Sequence, residues 1–307
     1  MKESPIKLFV IVVTYKGKQW YDRCFTSLRN STIPVQTIVV DNASNDGTVE
    51  YIKENYPEII LIESKENLGF GKGNNLAMKY AYEHGCDYVF LLNQDAWLDR
   101  DDTLEKLVSL SKKYPEYGIV SPMHLDAEKK SLNMALELGN NKCSMRMLSD
   151  LFCGELKDLY QTNYINAAAW LLPRKTLNIV GGFDPIFKHY EEDDNYLNRV
   201  LYHRPKVGIC PHASVVHDHH DSPQSNEKHA LREQQNLLVV WTNLNVPFSC
   251  SRYWLHYFSR FLKYSVLGKS NKARSMLKAM SIMQKSAKQV RISRRETTKI
   301  QSSWLLD

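Results

Sequence analysis

Short apolar runs alternate with amphipathic stretches along the first two thirds of the chain. Lys7-Leu-Phe-Val-Ile-Val-Val-Thr14 predicts a buried strand, followed by a helix from about Trp20 to Arg29. Thr37-Ile-Val-Val-Asp41 predicts a second strand, Gly47 to Asn55 a helix, and Ile59-Ile-Leu-Ile62 a third strand. A helix over Asn74–His84 and a strand over Tyr88–Leu92 continue the alternation. Strands alternating with helices in this way imply βαβ units and a parallel sheet. A helix at 103–113 and a strand at 118–121 follow. Periodicity fades over 131–158, which predicts a variable excursion. Beyond it the pattern predicts a strand at 164–172, a helix at 192–201, and two short strands at 206–210 and 214–217. Past Pro223 it turns helical, at about 226–244, 251–267 and 270–290, with the last dozen residues expected to fray.

Polar residues sit where these strands end. The run Tyr88-Val-Phe-Leu-Leu-Asn93-Gln-Asp95 delivers an amide and a carboxylate at a strand terminus. In open α/β sheets, ligands bind beyond the carboxyl ends of the strands. A carboxylate there is placed to meet a cation carrying phosphates. A lone strand-end aspartate is more often a turn residue or helix cap, but here the pattern recurs. The second strand ends in Asp41-Asn42-Ala-Ser-Asn-Asp-Gly-Thr48. Part of that stretch is turn and cap chemistry, whereas Asp41 is placed to accept from a base N–H or a ribose hydroxyl.

Three further segments carry chemistry. Asn67-Leu-Gly69-Phe70-Gly71-Lys-Gly73-Asn74-Asn75 reads as a glycine-rich loop whose backbone a ligand could approach closely. Its spacing matches neither a dinucleotide fingerprint nor a P-loop. Glu191-Glu192-Asp193-Asp194 opens a predicted helix. The helix macrodipole is the structural explanation for those acids, and a carboxylate general base in a partly enclosed cleft is the functional one. His217-Asp218-His219-His220-Asp221 ends a strand, which raises metal binding. The lack of HExxH spacing argues against a zinc hydrolase.

The order and spacing of strand–Thr14-Tyr15, VVDNASNDGT, NLGFGKGNN, LLNQDA, GGFDPIFKHYEEDDNYLNR and strand–His217 resemble family 2 inverting glycosyltransferases, closest to the bacterial rhamnosyltransferase-like group of surface-polysaccharide synthesis. The resemblance spans about residues 7–222. It implies a GT-A fold over residues 1–225, with 1–97 as the nucleotide-binding half and 98–225 as the acceptor half, followed by a basic helical extension at 226–307. It also implies roles. Thr14, Tyr15, Asp41 and Asn42 would line the nucleoside pocket, and Asn67, Gly69, Phe70, Gly73 and Asn74 the loop beside it. Asp95 matches the last acid of the family's DxD metal motif, with Asn93 in place of the first. Asp95 and His217 would hold Mg2+ or Mn2+. Asp193, with Glu192 beside it, matches the catalytic base, and Trp170 lies in a segment that flanks the donor sugar. The implied reaction moves a sugar, rhamnose or a similar one, from a nucleotide-diphosphate sugar to a hydroxyl of a glycan or lipid-linked acceptor.

Composition adds a location. The chain is 43% apolar and 24% charged, an ordinary soluble composition. It shows no long apolar span and no leader-like start, and its six scattered cysteines suit a reducing compartment, so a cytoplasmic protein is expected. Residues 251–307 hold 13 Lys/Arg against Glu296 and Asp307, a net +11, while the whole chain is +6, which leaves −5 for residues 1–250. The basic tail mixes these cations with aromatics, as in Tyr253-Trp254-Leu-His-Tyr257-Phe258, which suggests attachment to the inner face of the cell membrane. The acidic body argues against nucleic acid.

Two other classes stand beside this reading. A sugar-1-phosphate nucleotidyltransferase should carry a Gly-rich, Arg-containing loop after the first strand, where this chain has Val13-Thr-Tyr-Lys-Gly-Lys18. A non-catalytic nucleotide-sugar-binding module would tolerate loss of Asp95 or Asp193, and both are present.

Overall fold

The computed structural model describes residues 5–133, 141–218, 226–300 and 303–305. Among these residues nine strands form one mixed sheet: β1 (Leu8–Thr14), β2 (Gln36–Asp41), β3 (Ile60–Glu63), β4 (Tyr88–Asn93), β5 (Ala96–Leu98), β6 (Tyr117–Leu125), β7 (Tyr160–Thr162), β8 (Ala169–Pro173) and β9 (Lys206–His217). Their order is β3-β2-β1-β4-β8-β6-β9-β5, with β7 also on β9. The first four strands are parallel, as the sequence predicts. β8 enters antiparallel to β4, so the second half of the sheet is mixed.

The strands read as continuous apolar runs because both faces of the sheet are covered. Phe9, Ile11, Ile38, Val40, Leu91 and Trp170 face one layer, and Leu8, Val10, Val12, Val39, Phe90 and Leu92 face the other. The second layer includes α1 (Lys18–Arg29), α2 (Thr48–Asn55) and α4 (Thr103–Lys113). The first is covered by α3 (Gly69–Glu83), α6 (Arg174–Val180) and α7 (Glu192–Tyr202).

Several expectations change. The glycine tract is not a loop: α3 starts at Gly69, so Gly71 and Gly73 lie in its first turns. Tertiary packing overrides their poor helix propensity. A Cβ on Gly73 would sit 2.9 Å from Val13 Cγ1, and one on Gly71 3.2 Å from Phe183 Cβ. The stretch of weak periodicity contains α5 (Asn141–Phe152). The two short strands near the end of the sheet are one strand, β9, whose register shifts between Pro122 and Met123 of β6. The strand expected at 164–172 begins only at Ala169.

Three C-terminal helices, α8 (Asn226–Thr242), α9 (Cys250–Val266) and α10 (Ser270–Thr297), pack against one another and, through α8, on α7. Phe187, Leu238, Trp241, Met283 and Val290 form their shared core. The chain end does not simply fray. Ser303 O accepts from Gly182 N at 2.9 Å, and Leu305 is buried in the main core.

Arg199 ties this corner together. It is fully buried and donates to Val180 O (2.9 Å), Gly182 O (2.5 Å) and Asn195 Oδ1 (3.1 Å), beneath the Trp304 ring. Asn195 in turn donates to Thr242 Oγ1 of α8 at 3.0 Å. Removing the guanidinium would leave these buried carbonyls without a donor. Arg199→Ala is expected to destabilise the protein by about 3–5 kcal/mol in urea unfolding; a change under about 1 kcal/mol would contradict this role.

Candidate active site

The parallel register lines up the expected strand-end residues. Thr14 pairs with Asp41, and Val13 with Asn93, at one edge of the sheet. Thr14 Oγ1 donates to Asp41 Oδ1 (3.2 Å), and Asp41 Oδ2 accepts from Ser44 N (2.9 Å). Asp41 is thus 2% exposed and already bonded within its own turn. Asn42 is the bridge to α3: its amide donates to Gly69 O (3.2 Å) and accepts from Leu68 N (3.2 Å). Asn67 Oδ1 accepts from Gly69 N at 2.9 Å. Asn74 is buried, with its amide on Phe70 O (2.9 Å), so Asn74 and Gly73 shape the helix start rather than line the space above it.

That space is a cavity of about 500 Å³ bounded by Val13, Thr14, Tyr15, Asn42, Asn67, Gly69, Phe70, Gln94, Lys188 and His189. Six of these ten were expected from sequence; Gln94, Lys188 and His189 are new polar members. Gln94 clamps the end of β1 from β4, accepting from Tyr15 N (2.8 Å) and donating to Tyr15 O (3.2 Å). Gly69 has a positive φ of 75°, and a Cβ there would lie 2.7 Å from Lys188 O. No side chain fits that approach.

A turn at Gln94-Asp95 sends the chain from β4 into β5, which pairs antiparallel with β9 and sets Ala96 opposite His217. Asp95 Oδ1 therefore lies 3.4 Å from His217 Nε2. Asn93 Nδ2 approaches the same nitrogen at 3.4 Å, and Asn133 faces the other ring nitrogen at 3.5 Å. Among the described residues no group of three or more His, Cys, Asp and Glu could hold a metal alone. One carboxylate and one imidazole 3.4 Å apart do fit two adjacent ligands of a six-coordinate ion, which span about 3 Å. The donor set suits an ion whose remaining positions are filled by water and phosphate oxygens. His219, His220 and Asp221 lie outside the described residues.

The acidic run is presented by a strained turn. Tyr190 and Glu191 both adopt left-handed φ (69° and 66°) just before α7. Such conformations are costly for side-chain residues and gather at functional sites. Lys16 and Ala43, directly after β1 and β2, share that conformation. Glu191 is held by Arg232 of α8 (3.6 Å), and by the Asn236 amide at 2.9 and 3.0 Å in its donating orientation. Asp193 accepts from Ala167 N (3.4 Å) and Asp194 N (3.0 Å). Asn93 N donates to Ala168 O at 3.0 Å, so the segment before β8 links the base candidate to the strand-end site.

Burial dominates the electrostatics here. It raises the Asp193 carboxyl above the ordinary range, Glu192 to about 7 and Asp194 to about 8, the latter two helped by neighbouring acids. Raising Glu192 from 4.5 to about 7 corresponds to about 3 kcal/mol, against up to about 2 kcal/mol from a macrodipole in a partly buried setting. The macrodipole alone therefore does not offset the burial of Glu192. Trp170 is the correction: it is fully buried, set opposite Leu91 and packed beside Tyr196, because its strand position faces the α3–α7 layer. It is a core residue and does not reach the cavity.

Known proteins resemble this chain in sequence and in fold. The sequence model of Glycosyl transferase family 2 matches residues 9–164. The O-antigen chain rhamnosyltransferase WbaN of Salmonella anatum is 25% identical over 219 residues, which cover 70% of this chain and 67% of WbaN. An N-acetylglucosaminyl-diphospho-decaprenol L-rhamnosyltransferase of Mycobacterium tuberculosis is 24% identical over 245 residues, 68% of this chain and 75% of that one. The solved mannosyltransferase PcManGT from Pyrobaculum calidifontis, in complex with GDP-Man and Mn2+, matches with TM-score 0.57 at 17% identity, covering 99% of this chain and 86% of its own. S. aureus TarS 1-349 in complex with UDP matches with TM-score 0.56 at 15% identity, covering 78% and 67%. At such identities the likeness establishes the fold, GT-A.

The buried Glu192 carboxyl also sets a pH dependence. Its folded value of about 7 lies above the ordinary 4.5, so its contribution to stability is full below 4.5 and is lost as pH rises through 7. Glu192→Gln escapes that loss. Its stability is expected to gain on the wild type between about pH 5 and 8, by up to about 3 kcal/mol. A pH-independent difference between the two melting curves would contradict the assignment.

Proposed function

The chain belongs to glycosyl transferase family 2 and is a glycosyltransferase, and we propose that it transfers a sugar with inversion from a nucleotide-diphosphate sugar, dTDP-rhamnose or a similar donor, to a hydroxyl of a glycan or lipid-linked acceptor. The observation that carries this reading is the pairing of the strand edge that bears Asp95 and His217 with a desolvated carboxylate, Asp193, one short segment away. The rhamnosyltransferase names of two relatives favour the donor class. We take residues 1–225 as the catalytic unit and 226–307 as an extension.

In this scheme Thr14, Tyr15, Asn42, Asn67 and Phe70 cradle the nucleoside, and the Gly69 backbone permits its close approach. Asp41 orients Thr14 from below. Mg2+ or Mn2+, when bound through Asp95 and His217, supplies Lewis-acid neutralisation of the charge on the departing diphosphate. Asn93 contributes no negative charge, which leaves Asp95 as the sole carboxylate of the pair. Asp193 accepts the proton of the acceptor hydroxyl as its oxygen bonds to the sugar's C1 from the face opposite the diphosphate. The C1–O bond to phosphate breaks in the same step, which inverts C1. Burial raises the Asp193 carboxyl above the ordinary range, which makes it a stronger base than an exposed aspartate and supports this role. Glu191 is engaged by Arg232 at 3.6 Å, which supports Asp193 rather than Glu191 in this role.

Asp193→Asn is expected to lower transfer by about 10²–10⁴-fold while leaving nucleotide binding intact; unchanged turnover would remove Asp193 from the role. Chelation by EDTA is expected to stop transfer, with Mn2+ or Mg2+ restoring it. Full activity in excess chelator would exclude the metal.

A further inference from the structure

α9 (Cys250–Val266) shows two unlike faces. Its inner edge packs on the C-terminal core through Cys250, Tyr253 and Tyr257, with Tyr257 edge-on to the buried Trp241 ring (6.4 Å, 68°). The rest of the helix buries no side chain fully. Trp254, Leu255, Phe258, Leu262 and Val266 are 41%, 61%, 37%, 48% and 88% exposed. At about 100° per residue these five fall within one sector of about 120°. Trp254 stacks on Phe258 (5.2 Å, 15°), and exposed Leu267 extends the patch past the helix end.

The surrounding charge has one sign. From Arg252 to Arg295 the chain carries 12 Lys/Arg and no Asp or Glu. Arg252 and Lys263 line one edge of the apolar sector, opposite the edge that packs on the core, and Lys269, Lys272 and Arg274 follow its C-terminal end, all exposed. An apolar stripe with Trp and Phe, edged by cations, is the composition of a helix that lies in a bilayer interface. Among the described residues no helix is long and apolar enough to cross a membrane, so the helix would lie on the surface. A second copy is a poor occupant, since a two-fold contact would bring the same cations face to face.

We propose that this face of α9 docks on a bilayer surface rich in anionic phospholipid. The same helical unit holds the catalytic turn, because Arg232 and Asn236 of α8 bind Glu191. Docking therefore fixes the site relative to the membrane, where a lipid-linked acceptor would be met. That consequence rests on the proposed transfer reaction; the docking itself does not.

Flotation of the full chain tests this, using phosphatidylcholine vesicles with and without about one third phosphatidylglycerol at about 0.1 M salt. The wild type is expected to float with the anionic vesicles and to stay at the bottom with phosphatidylcholine alone. Phe258→Glu combined with Leu262→Glu should abolish flotation with the melting temperature unchanged. Lys269→Ser and Lys272→Ser should each weaken partition about five-fold. Asp193→Asn should float like the wild type, so a failure of docking and a failure of the reaction are read separately. The proposal is overturned if the wild type does not float, or if the substitutions leave flotation unchanged. It is also overturned if sedimentation without lipid shows a dimer that Phe258→Glu dissolves.

Discussion

The position of β1 is the constraint on which the site depends. It is flanked in parallel by β2 and β4, so three strand ends open on one edge of the sheet. The chain leaves β1 toward β2 on one side and returns to β4 on the other, which makes that edge a crevice of the kind where α/β sheets bind ligands. Thr14, Asn42 and Gln94 occupy it because the register leaves no other place for them. The Ala96–His217 pairing then carries Asp95 to His217. A slip of one residue in either ladder would turn these side chains to the opposite face.

The second half of the site follows a different rule. Its acids are held by enclosure. α7 begins after two left-handed residues, and its first turn is buried against α3 and the segment leading into β8. Desolvation there outweighs the helix dipole and raises the carboxyls above their ordinary range. One carboxylate of the run is neutralised from outside by Arg232, which limits repulsion among the remainder. The C-terminal helices thus support the turn that presents the acidic run.

Much of this was legible in the chain. The four parallel strands were marked by apolar runs too short for helices, and the strand-end polar residues stood out because buried strands seldom carry them. The glycine tract misled, since Gly71 and Gly73 signal close packing against Phe183 and Val13 rather than a loop. Trp170 misled too, because strand parity sends it into the core and parity cannot be read without knowing which layer covers which face. Asn133 and Arg232 had no motif to mark them, and Gln94 and Lys188 lay inside motifs without a role being read for them; each reaches the site through a fold contact far apart in sequence. The anchoring of Trp304 and Leu305 was equally hidden, as it depends on Arg199 and Gly182.

A crystal structure with a nucleoside diphosphate and Mn2+ tests the central claim most directly. The account expects the base and ribose in the cavity between Thr14, Asn42 and Phe70, the diphosphate turned toward Asp95 and His217, and the Asp193 carboxyl facing the space beyond the terminal phosphate. A nucleotide bound elsewhere, such as the cavity between Asp184 and Lys285, or a metal without Asp95, would contradict it.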